Sequence, residues 1–527
     1  MQREISSFAD ALGPDRALLT FNRGIEREAL RVSPGGQLAQ TPHPEKFGSK
    51  LTHPQVTTDF SESQLELITP VHASASEALA DLDRVHRYVY TGLGDEILWS
   101  ASMPCVLQDN ASIPLAYYGE SNTGRLKTVY RSGLGLRYGR GMQTICAVHY
   151  NFSLSEDFLS WLQQHEASTL DKHSYRSSRY FDLMRNFRRY SWLLTYLFGA
   201  SPAVCNSFVR GRDHNLQSFD EGTSYLPHAT SLRSGNLGYQ SDTQAKRLKV
   251  CYNSLENYVH SLADAITTPH EPYAALGLVS HGEYQQVNTS ILQSEAEFYS
   301  SIRAKRVPGK GENFLASLME KGVEYIEVRL LDVNPYLPLG IDESTIHFID
   351  TFLLYCLVTD SPPHDDLLCG EVSSNALATV YEGRKPGLLL SDQGQPRELQ
   401  QWGRQLLQEL EPLAALLDQA QGHDNHKSSL GAQIAKIENP EKTPSGAILA
   451  DLTRDGVPFF RFAMNQALQH REAFRSRPLP ESELAAWDEI ARQSVAAQQA
   501  IEAADQVDFE DFLRQLASEY QPLRSGT

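Results

Sequence analysis

The chain has 527 residues, 47 Lys plus Arg against 65 Asp plus Glu, a formal charge of −18 at pH 7 and 41% hydrophobic content. Ordinary apolar content with 23 Tyr and 21 Phe excludes a disordered chain, and six widely spaced cysteines with no CxxC exclude a disulfide scaffold. The acidic balance disfavours a nucleic-acid groove. The most apolar stretches, residues 352–358 and 192–203, fall short of the roughly 18 residues a membrane span needs, and the N-terminus leads into no apolar secretory segment. These features predict a cytoplasmic protein with neither nucleic acid nor membrane as a partner.

Residues 24–32 alternate as a strand and place Glu26 and Glu28 on one face, about 7 Å apart. A helix would splay the same pair. Residues 56–68 form a second β-like run carrying Asp59 and Glu66, with a turn or bulge between them. Residues 124–131 bring Arg125, Lys127 and Arg131 together, and guanidinium forks suit carboxylates and phosphates. The glycines of 132–141 lack the strand–turn–helix context of a dinucleotide fingerprint. Residues 142–153 read as a third strand in which Gln143, His149 and Asn151 share a parity; Cys146, among apolar neighbours, reads as packing. Arg233 follows in 231–233, and residues 301–306 cluster Arg303, Lys305 and Arg306, candidates for nucleotide phosphates. Residues 325–332 form a fourth strand, with Ile326 and Val328 facing one way and Glu327 and Arg329 the other.

From residue 341 the pattern turns helical. A core helix begins at Asp342, and amphipathic helices cover 399–420 and 480–517, with Glu481 and Glu483 in the first turn of the last. No long linker intervenes. The expected organisation is one domain over 1–527, with a catalytic sheet region at 20–340 and a mainly helical packing region at 341–527.

Each acidic site has an ordinary reading by itself. Glu26 and Glu28 pair with Arg23 or Arg27 on a solvated face, Glu327 with Arg329 as an ion pair, and His149 sits in a core. Four strands bearing such residues together point to one shared polar face. Like charges crowded on a sheet are destabilising unless something neutralises them. Mg²⁺ and Mn²⁺ take carboxylate oxygens naturally, and His149 suits Mn²⁺ better than Mg²⁺.

Several segments carry a resemblance. They include Gly24-Ile-Glu-Arg-Glu-Ala-Leu-Arg-Val32, Thr58-Asp-Phe-Ser-Glu62, Leu65-Glu-Leu-Ile-Thr-Pro70, Tyr118-Gly-Glu-Ser-Asn-Thr-Gly-Arg125, Val148-His-Tyr-Asn-Phe-Ser153, Ala229-Thr-Ser-Leu-Arg233 and Tyr325-Ile-Glu-Val-Arg329. In this order the sequence closely resembles the bacterial glutamate–cysteine ligase family, over most of residues 20–340. The resemblance implies an α+β, glutamine-synthetase-like fold, in which a curved, mainly antiparallel sheet forms a funnel backed by helices. It implies ATP-dependent joining of the glutamate γ-carboxylate to the cysteine amine through γ-glutamyl phosphate, the first step of glutathione synthesis, with glutathione as a feedback inhibitor.

Matched position by position, the resemblance makes Glu26, Glu28, Asp59, Glu66, His149 and Glu327 the metal positions. It gives Arg329 the charge on the transferring phosphoryl group. Gln143, Asn151 and Arg233 fall to glutamate, and Tyr130, Arg131 and Tyr239 to the cysteine site. The alternatives are a ligase using another amine, such as ammonia, and a catalytically silent sensor lacking turnover.

Overall fold

In the computed structural model, which describes residues 2–237, 248–309 and 311–526, the alternation read in residues 24–32 becomes a strand, β1 (Phe21–Val32). Ile25 and Ala29 enter the core from one face, and period two sends Glu26 and Glu28 to the other. The sheet is completed by β2 (Val56–Thr58), β3 (Gln64–Ile68), β4 (Ile97–Leu98), β5 (Ala147–Leu154), β6 (Ile302–Lys305) and β7 (Tyr325–Asp332). Its order is β6-β7-β5-β1-β3-β2, with β4 on the end of β1. Every pairing is antiparallel. Such a sheet can bury one face and keep the other polar. A register shift between Val328 and Leu331 bends β7 against β5.

The turn expected between Asp59 and Glu66 is present, separating β2 from β3. The third run is shorter than its sequence suggests. Gln143 lies in a helical turn, Arg140–Gln143, and the strand begins only at Ala147. The cause is Gly139, whose φ of 83° ends α1 (Asn122–Tyr138) and redirects the chain. The glycines of 132–141 therefore serve a helix and its end. A Cβ at Gly133 would stand 2.1 Å from Gln293 Oε1, so that glycine admits the Gln293 side chain.

Helices pack behind the sheet. The main ones are α2 (Lys172–Phe198), capped by Asp171, and α3 (Glu343–Val358), where Asp342 accepts from the Thr345 N–H at 2.8 Å. They are followed by α4 (Leu399–Gln421), α5 (Asn425–Glu438), α6 (Glu481–Ala504) and α7 (Phe509–Glu519). The stretch 480–517, read as one helix, is thus two. Asp508 caps the second, accepting from the Asp511 N–H at 2.8 Å. One hydrophobic cluster runs from Ile5 to Tyr520, with the Trp192 and Trp402 rings 4.8 Å apart.

A buried ion pair fastens the helices to the sheet. Arg23 of β1 donates to Asp350 of α3 from Nε at 2.8 Å and Nη2 at 2.5 Å, and Tyr150 of β5 donates to the same carboxylate at 2.6 Å. Both charged side chains are at most 1% exposed. Among the described residues, no helix is long and apolar enough to cross a membrane.

Candidate active site

The polar face of the sheet gathers carboxylates from β1, β3 and β7 and an imidazole from β5. Glu26 stands opposite His149 across β1 and β5, and Glu28 opposite Glu66 across β1 and β3. Glu327 stands opposite Asn151 across β7 and β5. His149 Nδ1 is 3.3 Å from Glu26 Oε2 and 3.8 Å from Glu327 Oε1, while its Nε2 is 3.5 Å from Glu28 Oε1. One donor atom each from Glu26, Glu66 and His149 lies within 4.8 Å of the other two. Asn151 Nδ2 donates to Glu26 Oε1 at 2.8 Å, and the Ala147 N–H donates to Glu28 Oε2 at 2.7 Å. Asp59 follows β2 at the rim of this group; its carbonyl accepts from Arg131 Nε.

Like charges so close, and mostly buried, cannot all ionise unaided. Burial, then the charge of Asp59, pushes Glu28 up to about 8. Burial, then Glu26, Asp59 and Glu28, pushes Glu66 well above the usual carboxylate range. Burial also acts to raise Glu327, but Lys305 and Arg329 outweigh it and hold that carboxyl well below its ordinary value. Burial, followed by Arg329, lowers His149, so its imidazole is neutral near pH 7. Glu327 Oε2, His149 Nε2 and Asn151 Oδ1 are buried with no hydrogen-bond partner among the described residues. Ionised and protonated carboxyls, a neutral imidazole and orphaned acceptors make a donor set that fits hard divalent cations.

Cations line one side. Arg329 Nη1 donates to Glu327 Oε1 at 3.0 Å, and Lys305 Nζ is 3.7 Å from Glu327 Oε2. Arg233, in a short helical turn at Leu232–Ser234, donates from Nη2 to the Arg329 carbonyl at 2.5 Å. Arg233 and Arg329 open onto a cavity of about 670 Å³, which Arg188, Tyr299 and His364 also line. Gln143 reaches it through Tyr299, donating to the phenol oxygen at 2.9 Å.

The other expected residues take separate positions. Arg131 lies over the Tyr118 ring, 4.5 Å from its centre. The Tyr130 carbonyl accepts from Gln293 at 3.1 Å. Arg303, opposite Glu327 across β6 and β7, spends Nη2 on the carbonyls of Ala296 and Phe298. Arg306 turns away to the end of the helix Phe314–Lys321, donating to the carbonyls of Gly322 at 2.6 Å and Lys321 at 2.7 Å. Tyr239 lies outside the described residues. Cys146 is buried, its thiol pushed well up by burial and then Glu28, as packing requires. Sequence reasoning passed over Tyr299 and Arg188. Lys127, of the basic cluster at residues 124–131, is half-buried: burial, then Arg131, lowers it to about 8, while Glu66 opposes the shift.

An antiparallel sheet that gathers carboxylates, an imidazole and arginines beside a cleft is the arrangement of an enzyme acting on charged small molecules. The glutamate–cysteine ligase family model matches residues 10–379. The chain is 52% identical to the glutamate–cysteine ligase of Pseudomonas fluorescens over 490 residues, covering 93% of this chain and 92% of the relative. It is 50% identical to the Pseudomonas aeruginosa enzyme over 490 residues, with 93% of each chain covered. The fold superposes on the Francisella tularensis glutamate–cysteine ligase, solved in complex with AMP, at a TM-score of 0.90 and 34% identity, covering 96% of this chain and 99% of that one. It also superposes on a bifunctional glutathione synthetase from Pasteurella multocida at a TM-score of 0.69 and 25% identity, covering 92% of this chain and 57% of that one. The chain belongs to the glutamate–cysteine ligase family and is an ATP-dependent carbon–nitrogen ligase acting at the first step of glutathione synthesis.

Proposed function

We propose that the acidic face holds Mg²⁺, with Mn²⁺ as an alternative, and that the arginine-lined cavity receives the glutamate and ATP that react there. The observation carrying this reading is the meeting of Glu26, Glu66, His149 and Glu327 beside Arg329 and Arg233. Glu26, Glu28, Asp59, Glu66, His149 and Glu327 would hold the cations, which supply the positive charge that lets two anions approach.

The residues divide the remaining work. A carboxylate is a poor electrophile, so the glutamate γ-carboxylate first attacks the γ-phosphorus of ATP, forming γ-glutamyl phosphate and releasing ADP. Arg329 presents its planar fork to the charge spreading over the transferring phosphoryl oxygens. Arg233 and Gln143, with Asn151, orient glutamate. The cysteine amine then attacks the acyl carbon, phosphate leaves, and the nitrogen gives up a proton. Arg131, Tyr130 and Tyr239 are the proposed neighbours of cysteine. Lys305 is the proposed phosphate cation of its cluster. Arg303 backs it from the buried side, and Arg306 secures the end of a helix.

Mixing the protein with ATP, Mg²⁺, glutamate and cysteine should release ADP only when both amino acids are present. ADP release that prefers ammonia to cysteine would remove the cysteine assignment, and ATP binding without turnover under any pair would favour a sensor. Glutathione contains the γ-glutamyl-cysteinyl unit made here, and we extend the proposal to its binding in the same cleft as an inhibitor. Six free cysteines fit a reducing, cytoplasmic setting. One continuous hydrophobic cluster supports a single catalytic unit over the whole chain.

A further inference from the structure

Behind the sheet, the helices carry a second group of imidazoles and carboxylates that the ligase chemistry does not use. His347 and Asp350 lie on α3, Asp418 near the end of α4, His423 in the following turn, and His426 in the first turn of α5. The His347 and His426 ring centres are 4.5 Å apart; His423 is 5.2 Å from His426 and 5.4 Å from His347. One donor atom each from His347, Asp350 and His426 lies within 4.8 Å of the other two, and the same holds for Asp418, His423 and His426.

Hydrogen bonds orient these rings. His426 Nδ1 stands 2.9 Å from Asp418 Oδ1, which also accepts the His426 backbone N–H at 2.9 Å. An ionised carboxylate there takes the Nδ1 proton and leaves Nε2 as a lone pair. His347 Nε2 stands 3.3 Å from Glu343 Oε1, and the same logic leaves its Nδ1 as a lone pair. Those two nitrogens, His426 Nε2 and His347 Nδ1, are both buried with no hydrogen-bond partner among the described residues. His426 is 0% and His347 4% exposed. Buried acceptors normally find a partner, because leaving one empty costs about 1–3 kcal/mol. A carboxylate that orients an imidazole from its far nitrogen is the arrangement found behind metal-bound histidines. His423 keeps 29% of its side chain exposed, which gives an ion a way in.

We propose that this cluster is a second cation site, distinct from the catalytic carboxylates, that binds Zn²⁺ through His347 Nδ1, His426 Nε2 and Asp350, with solvent completing the coordination. Imidazole donors favour a borderline ion such as Zn²⁺, whereas the carboxylate-rich catalytic face favours Mg²⁺. The site joins α3, α4 and α5, and through Asp350 it reaches Arg23 of β1 and Tyr150 of β5. Its role is therefore to brace the helical layer against the catalytic strands.

The test is metal retention by the full-length protein. After chelator treatment, the protein is equilibrated with Zn²⁺ in a large excess of Mg²⁺, desalted and analysed for metal. The expected result is one zinc equivalent per chain that is retained in Glu26→Gln and lost in His347→Gln and His426→Gln. No retained zinc in the wild type, or the same zinc content in both histidine variants, overturns the proposal. Because a core substitution can disturb folding, Co²⁺ replaces Zn²⁺ in the wild type as a second measurement. Intense visible absorption of a four-coordinate site, persisting in excess Mg²⁺ and in the Glu26→Gln variant, supports the site. Only the weak spectrum of six-coordinate Co²⁺ overturns it.

Discussion

Glu28 of β1 and Glu66 of β3 face each other directly across two antiparallel strands, and both carboxyls are raised above their ordinary range. A sheet does not place two acids in register on a buried face for its own stability. The pair makes physical sense as a seat for positive charge, and the predictions start from that seat.

Removing one negative charge from the seat should weaken it without destroying it. Glu327→Gln keeps the size of the side chain and loses the charge that Lys305 and Arg329 hold ionised. The expected result is roughly 10-fold to 100-fold lower activity at low Mg²⁺, as for the loss of one metal-orienting contact, partly restored by excess Mg²⁺. Steady-state rates over a Mg²⁺ titration check this. A loss with no recovery at any concentration would remove Glu327 from cation binding.

Arg329→Lys should separate charge from shape. Lysine keeps the charge but cannot offer a planar fork. A loss of roughly 100-fold to 1,000-fold in kcat is expected, the scale for deleting one transition-state donor, with KM for ATP changed only a few-fold. Unchanged turnover would take Arg329 out of the reaction.

Within the basic cluster of residues 303–306, position decides role. Arg306 is engaged with the carbonyls at a helix end, whereas Lys305 faces Glu327. Arg306→Ala should lower the thermal midpoint and leave KM for ATP within about twofold. Lys305→Ala should raise that KM by about 5-fold to 10-fold, the scale of one ordinary net hydrogen bond at about 1–1.4 kcal/mol. The reverse pattern would exchange the two assignments.

Acid should destabilise the fold through His86. Burial, then Arg27, lowers it to about 3, and its ring stacks on Phe474 at 5.1 Å. Because the folded value is depressed, the stabilising contribution is complete above the unfolded value near 6.5. It is lost as pH falls from there towards 3, at up to about 1.4 kcal/mol per pH unit. His86→Phe keeps the stacked ring and removes the proton site. Melting curves of the two proteins should diverge in slope below pH 6.5, and parallel curves would contradict this.

Much of the site was legible because strands alternate. Glu26 with Glu28, and Glu327 with Arg329, declare their shared faces by period two, and both strands keep it. Gln143 was misplaced on a strand because one backbone turn at Gly139 cannot be weighed against a run of β-forming residues. The break at residues 505–508 was hidden by an unbroken helical composition, although Asp508 is a sound cap. Tyr299 and Arg188 carry no local signal, since a loop and a distant helix bring them to the cavity. The destination of Arg306 depends on a helix end 15 to 16 residues further along the chain, which spacing does not reveal.

The central claim is that carboxylates from separate strands hold the cations at which ATP meets glutamate. Anomalous diffraction from crystals grown with Mn²⁺ and a non-hydrolysable ATP analogue tests it most directly. Anomalous peaks within about 2.3 Å of oxygens from Glu26, Glu66 and Glu327, and of a His149 nitrogen, are predicted, the distance being that of hard-cation ligation. Manganese bound only to the nucleotide, with those four side chains left without a metal, would contradict the account.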